Sequence, residues 1–465
     1  MSNKKLGFWV LTALVIGNMV GSGIFMLPRK LAEVASPAGV LWAWLLTGGG
    51  VLLTALVFGS LALRKPQLVG GPQMYAQALF KEGSQASVIA GYLVAWGYWV
   101  ANFAGNVAII TTFASYLSTF FPILTSEAPL FEIGSFTVKA GNLLTFLVCS
   151  VLLWGMHILI LRGFEGAGKV NFMATAAKVL GFAFFIIAAL WTFQASNMLP
   201  MDQPRVDDAG ATVGLLGQIN NAAVATLWAF VGVESAVVFS SRARRQKDVK
   251  RATILGLVIA LVIYMAISVL VMGALTQNAL IASEKPLVDA LNAVIGSSGS
   301  YLMAGLGLIS LLGSTIGWIM LSSEVPYQAA KRGMFLPFFG KENQNGTPVN
   351  SMIVTNILSQ LLLFSTMSQS VAKAFDFMIT IATLAYLVPY IIATVYQLKL
   401  VFTGETYELQ PKNRMIDGII ATVATIYSLW VIKAGTADMY TFLMGVGMLA
   451  VGIVFYPWVL KAHHR

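Results

Sequence analysis

The chain is 465 residues long, with 57% apolar residues, only 10% charged residues and a net charge of +10. Soluble domains carry about 25% charged residues, so this composition excludes a water-soluble enzyme and a disordered protein. The positive charge fits loops that face anionic headgroups, so we expect membrane lipid and no nucleic acid as a partner.

Twelve apolar segments predict an all-α membrane protein with 12 transmembrane helices, because about 20 apolar residues cross a bilayer as one helix. The segments fill the chain and indicate a single transmembrane domain, residues 1–465. In chain order they cover about residues 6–28, 38–63, 85–119, 143–161, 170–194, 214–240, 252–275, 298–325, 350–368, 374–398, 415–432 and 438–460. The first is too long for the apolar core of a signal peptide, so we expect it to be a span. Spans 3 and 8 are long enough to be tilted or interrupted.

Lysine and arginine decide the orientation of the spans, because these residues accumulate in cytoplasmic loops. With both termini cytoplasmic, 21 of the 29 basic residues fall on the inside, 7 fall on the outside, and Lys178 lies within a span. The distribution therefore predicts cytoplasmic termini, an even number of spans and a multi-pass protein of the cell (plasma) membrane.

Glycine residues weaken two of the predicted helices. Span 1 contains the run GNMVGSGIF from Gly17 to Phe25, and each glycine weakens a helix interior by about 1 kcal/mol. This run predicts either close helix packing or an unwound segment whose free N–H groups face an anion. Span 6 places Gly232 two residues before Glu234. Because matched interruptions indicate an inverted-repeat transporter, we expect repeats at about 6–194 and 214–398, followed by helices 11 and 12 at about 415–460.

Four ionisable residues lie within or near apolar runs, where an ionised side chain costs at least about 2.5–3.5 kcal/mol. Glu234 beside the span 6 break and Lys178 inside span 5 indicate functional sites. A buried lysine needs a carboxylate or carbonyl partner or gives up its charge. Glu324 and Asp376 lie near the ends of spans 8 and 10, where each is either functional or simply in reach of water.

Aromatic and amide side chains at membrane depth are further candidates. The aromatics are Tyr98, Trp228 and Trp318, and the amides are Asn18, Asn102 and Asn106. The aromatics either pack helices together or stack on a cationic substrate. The amides either join helices by hydrogen bonds or line a pocket. With Cys149 as the only cysteine and three histidines, a disulfide within the chain is excluded, and we expect no metal or other cofactor.

Five runs of residues occur in an order typical of one transporter group. They are GNxxGSGIFxxP from Gly17, GGPxxY from Gly70, YWxxNxxGN from Tyr98, WxFxGxES from Trp228, and GW at Gly317 with EVPYxAAKxGxFxP from Glu324. On these runs the chain resembles the amino acid–polyamine–organocation (APC) superfamily, specifically its basic amino acid/polyamine antiporter branch, over essentially its whole length. Parts resemble arginine–agmatine exchangers, and the span 8 run is closer to arginine–ornithine and amino acid–amine exchangers.

The resemblance implies a five-plus-five inverted repeat with broken helices 1 and 6, and sodium-independent amino acid exchange. We expect the exchange to proceed by alternating access. The implied substrate-binding residues are Asn18, Met19, Ser22, Gly23, Ile24, Ala101, Asn102, Asn106, Trp228, Val231 and Trp318. Ser22 and the N–H of Gly23 would hold the substrate carboxylate, and the carbonyls of Met19, Trp228 and Val231 its amino group. The residues implied or proposed for gating and coupling are Tyr98, Trp228, Glu234, Lys178 and Glu324.

Two departures from the family pattern bear on the substrate. Asn102 stands where arginine–agmatine exchangers have a different residue, and Lys178 resembles a lysine whose ammonium occupies a sodium site in other superfamily members. Two functions stay open: an antiporter for a cationic amino acid against a related amino acid or amine, and a proton-coupled permease for neutral amino acids. Metalloprotease, hydrolase and phosphate-loop motifs are missing from the sequence, so we expect no enzyme. The branch includes monomers and homodimers, so both states stay open.

Overall fold

The computed structural model describes residues 5–133, 136–206, 210–367, 371–408, 411–436 and 439–463. Within these ranges the protein is an all-α membrane protein with two short β-hairpins. Ten of the described helices are long and apolar enough to cross a bilayer, or 11 when a bent pair in the middle of the chain counts as one span.

The helices of the first half follow the predicted spans closely. They are α1 (Phe8–Met19), α2 (Ser22–Val34), α3 (Pro37–Arg64), α4 (Gln73–Ala78), α5 (Gln85–Leu117), α6 (Ala140–Leu161) and α7 (Phe164–Trp191). Two local signals explain where α3 and α5 begin. Ser36 accepts a hydrogen bond from the N–H of Gly39 and precedes a proline, and Ser84 accepts one from Ser87. Such caps satisfy N–H groups that the first helical turn leaves without a partner.

The second half contains more short elements than the hydropathy pattern predicts. Its helices are α8 (Leu215–Phe230), α9 (Ser235–Val238), α10 (Gln246–Ala274), α11 (Gln277–Ala282), α12 (Pro286–Ile295), α13 (Ser297–Lys331), α14 (Val349–Leu363), α15 (Val371–Thr403), α16 (Pro411–Gly435) and α17 (Met439–His463). The hairpins are β1 (Pro129–Ile133) with β2 (Phe136–Lys139), and β3 (Arg205–Val206) with β4 (Thr212–Val213). Helices α4, α11 and α12 and both hairpins lie in connections that we predicted as loops, because their runs are too short to register as spans.

Spans 3 and 8 cross the protein as the continuous helices α5 and α13, so an interruption there is not observed. Helix α5 packs against α13 and α15, while α10 packs against α1 and α3. Helix α7 lies against α13 and α1. This arrangement surrounds the junction of α1 with α2 by helices on several sides, so polar groups there are shielded from lipid.

The residues just before α1 pair with the backbone that follows α9. Leu6 pairs as a short parallel bridge with Ala243, just after the helical turn that follows α9. Its N–H donates to the carbonyl of Arg242 at 2.8 Å, and its own carbonyl accepts from the N–H of Arg244 at 2.8 Å. The segment before α1 is therefore tied to the end of the sixth predicted span.

Candidate functional site

The first break in a spanning helix lies between α1 and α2. Helix α1 ends at Met19, and α2 begins at Ser22. The residue that precedes α2 is Gly21, and among the described residues no side-chain hydrogen bond caps the helix there. The first-turn N–H groups of α2 consequently have no acceptors within their own helix. The Oγ of Ser22 is buried and has no hydrogen-bond partner among the described residues. A helix start of this kind attracts an anionic group through its free N–H groups and its dipole.

The second break separates α8 from α9, whose axes are bent by 43°. Gly232 lies in this break with a φ of 106°, a backbone conformation that favours glycine. A β-carbon at this position would lie 2.9 Å from the Cβ of Asn18. The two breaks therefore lie side by side, and the contact between them requires a residue without a side chain.

Glu234 follows the second break and accepts hydrogen bonds from three groups. The hydroxyl of Tyr98 donates to Oε1 at 2.7 Å, and the hydroxyl of Tyr390 donates to Oε2 at 2.5 Å. The N–H of Gly232 also donates to Oε2, at 3.1 Å. All three side chains are buried. The carboxyl group thus joins the broken span to α5 and α15.

Lys178 reaches the first break from α7. Its Nζ donates to the carbonyl oxygens of Gly17 at 3.1 Å and Val20 at 2.6 Å, and to the Oγ of Ser314 at 2.8 Å. The Oγ of Ser314 also donates to the carbonyl of Gly17, at 2.8 Å. The ammonium group therefore occupies a position among neutral oxygens where a small metal cation would also be satisfied.

Three asparagine side chains at the site share one pattern of hydrogen bonding. Each Nδ2 donates: Asn18 to the Oγ of Ser235 at 2.8 Å, Asn102 to the carbonyl of Tyr98 at 2.6 Å, and Asn106 to the Oγ of Ser322 at 2.9 Å. Each Oδ1 is buried and has no partner within the described ranges. Buried polar atoms are usually paired, so three unpaired acceptors indicate places for donors from a bound molecule.

Two tryptophans bring the remaining candidate residues together. The Nε1 of Trp318 donates to the carbonyl of Asn18 at 2.8 Å, and its ring centroid lies 5.6 Å from that of Trp228. The Trp318 ring lies against Gly105, where an added β-carbon would be 2.1 Å from Cζ3. Gly23 similarly lets the start of α2 approach Trp228. A β-carbon added at Gly23 would lie 3.5 Å from the Cδ1 of Trp228.

The structure brings together most of the residues implied by sequence. Asn18, Gly23, Tyr98, Asn102, Trp228, Glu234 and Trp318 are linked through the contacts given above. Asn106, Ser22, Ile24, Ala101 and Val231 are buried near them in the chain. The carbonyls of Met19 and Trp228 already accept from Gly21 at 2.8 Å and Val231 at 3.1 Å. A carbonyl oxygen has two lone pairs, so both can accept a second donor.

Glu324 lies apart from this group, in an ion pair with Arg242. Two distances of 2.9 Å join the guanidinium to the carboxylate, one from Nε to Oε1 and one from Nη2 to Oε2. Gln328 donates to Oε1 at 2.7 Å, and Glu324 itself is fully buried. Its carboxylate therefore does not reach water in this conformation. Arg242 thereby holds the end of span 6 against α13.

A second ion-pair group lies near the C-terminal half of α2. Arg29 contacts Glu33 at 2.5 Å and Asp376 of α15 at 3.1 Å. Lys30 lies 3.8 Å from the same Asp376 oxygen. Asp376 is therefore partly exposed but paired, and it links the second half of span 1 to span 10.

Tyr390 is the main site residue that sequence reasoning missed. It lies on α15 four residues after Tyr386, and the two rings face the same region. Tyr386 packs edge-on against Tyr98, with ring centroids 5.3 Å apart. Two tyrosines four residues apart in an apolar span share a helix face, and this spacing could have indicated them. The described residues contain no cluster of His, Cys, Asp or Glu suited to a metal.

Comparison with known proteins adds a family match across the chain. A model of the family described as amino acid permease matches residues 6–456. A Bacillus subtilis protein provisionally named an arginine/ornithine antiporter is 53% identical, over 98% of this chain and 97% of that protein. The arginine/ornithine antiporter of Pseudomonas aeruginosa is 35% identical, over 100% and 92% of the two chains. An Escherichia coli protein, also provisionally named an arginine/ornithine antiporter, is 33% identical, over 99% and 93%.

Proposed function

The chain belongs to the amino acid permease family, in the basic amino acid antiporter branch of the APC superfamily, and on this premise we propose that it exchanges a cationic amino acid for a related amino acid or amine. It is a multi-pass membrane transporter and not an enzyme. Arginine and ornithine, which appear in the names of the relatives, are the first candidate substrates.

The observation that carries this proposal is the set of unpaired amide oxygens of Asn18, Asn102 and Asn106. Their Nδ2 atoms are already engaged, so the atoms left for a ligand are acceptors. Ammonium and guanidinium groups offer only donors. A group of neutral acceptors therefore suits a cationic side chain, and Trp318 adds an aromatic face on which that side chain can stack.

The start of α2 supplies the opposite polarity. In our proposal the substrate carboxylate binds Ser22 and the N–H groups of Gly23 and Ile24, where the helix dipole favours negative charge. The α-amino group binds the carbonyls of Met19, Trp228 and Val231. An amino acid then lies between two helix breaks, with its carboxylate at one and its side chain toward the asparagines.

Lys178 supports sodium independence. Its ammonium contacts the Gly17 and Val20 carbonyls and the Ser314 hydroxyl, which are the kinds of oxygen that bind sodium. An ammonium attached to α7 would stabilise the break without any ion from solution. We therefore propose that the exchange needs no sodium gradient.

We further propose alternating access within 12 helices arranged as two inverted repeats, about 6–194 and 214–398. The two side-by-side breaks support this repeat, because corresponding interruptions characterise such transporters. Tyr98, Trp228 and Trp318 are each at most 3% exposed, which fits an occluded state. With both termini cytoplasmic, the Arg242–Glu324 pair closes the inner side and the Arg29–Asp376 pair closes the outer side.

Counterflow in proteoliposomes tests this proposal. Vesicles are loaded with arginine, ornithine, lysine, leucine or alanine, and uptake of each labelled amino acid is followed with and without a pH gradient or sodium. We expect strong stimulation by internal cationic amino acids and no dependence on sodium. Uptake of neutral amino acids driven by a pH gradient, without internal substrate, would instead establish the proton-coupled permease.

Substitution of Asn102 tests the observation behind the proposal. Asn102→Leu keeps the branched shape of the side chain and removes its amide oxygen, so the KM for arginine should rise about tenfold, the usual effect of a lost hydrogen bond to a charged group. Any remaining transport of leucine should change less than the transport of arginine. Equal losses for both substrates would show that Asn102 only packs helices.

A further inference from the structure

A cavity of about 680 Å³ lies where the ends of three helices meet, outside the transport site. Its walls come from the C-terminal end of α3, the N-terminal turns of α10 and α16, and the loop after α15. We propose that this cavity binds one phospholipid with an amine-bearing headgroup, its phosphate held by Lys250.

Lys250 is the cation that carries the site. Its stem packs over Gly59 of α3, where an added β-carbon would lie 2.7 Å from the Cγ of the lysine. This contact fixes the stem along the cavity wall. Hydrogen bonds and ion pairs to its Nζ are missing throughout the part of the chain that the structure describes. A positioned ammonium without a carboxylate partner, at the end of a spanning helix, suits a lipid phosphate.

The other strong charges deep in the cavity neutralise each other. Arg64 contacts Asp417 through Nε and Nη2, each at 3.0 Å, and its Nη1 donates to the carbonyl of Thr406 at 3.0 Å. The Tyr407 hydroxyl donates to the same Asp417 oxygen at 2.8 Å, and the Arg64 guanidinium lies 3.7 Å from the centre of the Tyr407 ring. Arg64 is therefore fully engaged, which leaves Lys250 as the positive charge available to a ligand among the described residues of the lining.

The lining changes from polar to apolar along the helices. Leu56 precedes Arg64 by two turns on α3, and Ile420 follows Asp417 by about one turn on α16. Leu63 and Ile416 line the same cavity with 43% and 51% of their surfaces exposed. In a spanning protein such exposed aliphatic side chains face acyl chains. A cavity that is charged at the helix ends and apolar toward the bilayer matches a phospholipid and not a soluble phosphate ester.

Glu408 decides between headgroups. It is an exposed residue of the cavity lining and makes no ion pair with Lys250. Among the side chains that the structure describes on this rim, one available ammonium and one available carboxylate complement phosphoethanolamine, which carries a phosphate and an ammonium. A headgroup with phosphate alone would place its negative charge near Glu408 without compensation.

Native mass spectrometry of the full-length, delipidated protein tests this assignment. The protein is titrated with dioleoyl phosphatidylethanolamine, dioleoyl phosphatidylglycerol or glycerophosphoethanolamine, which lacks acyl chains. We expect the first phosphatidylethanolamine to bind more tightly than phosphatidylglycerol, with no binding of the deacylated compound. Lys250→Gln should weaken that first site about fivefold, the usual effect of one basic residue at a lipid headgroup. Lys247→Gln, which removes an exposed lysine of the same helix, should not change it.

Two further variants keep the result decisive if Lys250→Gln alters folding. Leu56→Trp fills the apolar part of the cavity without touching a charge, and it should also remove the first site. Glu408→Gln should lower the affinity for phosphatidylethanolamine and raise that for phosphatidylglycerol, because the repulsion between the carboxylate and the lipid phosphate is gone. Unchanged lipid binding in Lys250→Gln and Leu56→Trp, tighter binding of phosphatidylglycerol to the unsubstituted protein, or saturable binding of glycerophosphoethanolamine would each overturn the proposal. The measurement does not depend on which amino acids are transported.

Discussion

The ammonium of Lys178 lies 2.6 Å from the carbonyl oxygen of Val20, inside the break between the two halves of span 1. Its other acceptors are the carbonyl of Gly17 and the hydroxyl of Ser314 on α13. One side chain from α7 thus ties the end of α1 to α13. Any movement of the broken span relative to those helices must change this contact, so Lys178 is placed to couple the break to the rest of the bundle.

Replacing Lys178 should therefore slow transport sharply. In Lys178→Ala two charge-assisted hydrogen bonds to backbone carbonyls are lost, and we expect the exchange rate to fall about a hundredfold. Sodium should restore part of the rate if the oxygens then bind a metal cation. Arginine uptake into loaded proteoliposomes, measured in sodium and in choline buffers, checks both statements.

Lys169→Ala is the matched control for that variant. Lys169 lies on the same helix but is 68% exposed and pairs with Glu165, one turn earlier. Its removal should leave uptake unchanged, because an exposed pair of this kind contributes little. Transport by Lys178→Ala at the normal rate without sodium would reduce Lys178 to a structural role.

The carboxyl of Glu234 and the hydroxyl of Tyr390 should act as one unit. Tyr390→Phe removes a donor 2.5 Å from Oε2, and we expect exchange to slow about tenfold. In a Glu234→Gln background the same substitution should change the rate less than about twofold, because the charge that strengthens the bond is gone. Exchange rates of the two single variants and the double variant measure this coupling. Simple additivity of the two effects would contradict it.

Breaking the Arg242–Glu324 pair should open the side of the protein that it closes. Glu324→Gln leaves a largely buried guanidinium without its carboxylate, a change that costs about 3–5 kcal/mol in buried pairs. The closed state should lose population to a state in which α9 is accessible. Cys149 is the only cysteine, so a Cys149→Ser protein with Ala236→Cys gives a single reporter on α9.

Labelling of that reporter by a membrane-permeant maleimide should speed up at least about tenfold in Glu324→Gln. A tenfold change in rate needs much less free energy than the broken pair costs. Glu165→Gln serves as the control, since Glu165 lies at the start of α7 and pairs with Lys169, which is 68% exposed. If both variants label at the same rate, the Arg242–Glu324 pair does not hold the closed state.

Gly232 should tolerate no side chain. Gly232→Ala places a β-carbon 2.9 Å from the Cβ of Asn18 on a backbone with φ of 106°, a strain of about 1–3 kcal/mol. We expect a lower melting temperature in detergent and loss of arginine binding. Gly155→Ala on α6 adds the same atom where nothing lies within 4 Å, and it should be neutral or stabilising. Equal melting temperatures for the two variants would argue against the strain.

Much of the membrane architecture could be read from local sequence. The predicted spans agree with α3, α5, α6, α7, α10 and α13 to within a few residues at most ends. Both helix breaks lie where glycine and polar residues interrupt apolar runs. Helices α11 and α12 and the two hairpins were missed, because short elements between spans are held by contacts with the bundle and have no long apolar period of their own.

The sequence by itself determined that this chain spans a membrane many times, where two spans break and which residues stand at the breaks, because hydropathy and glycine content act over a few neighbouring positions. Only the tertiary structure decided the partners: Glu234 with Tyr390, Lys178 with Val20, and Arg242 with Glu324. Each pair joins residues 82 to 158 positions apart, and the local pattern around one member does not specify the other. Such pairs form because a polar group buried in a bilayer must find a partner, and the packing of the helices determines which partner is within reach.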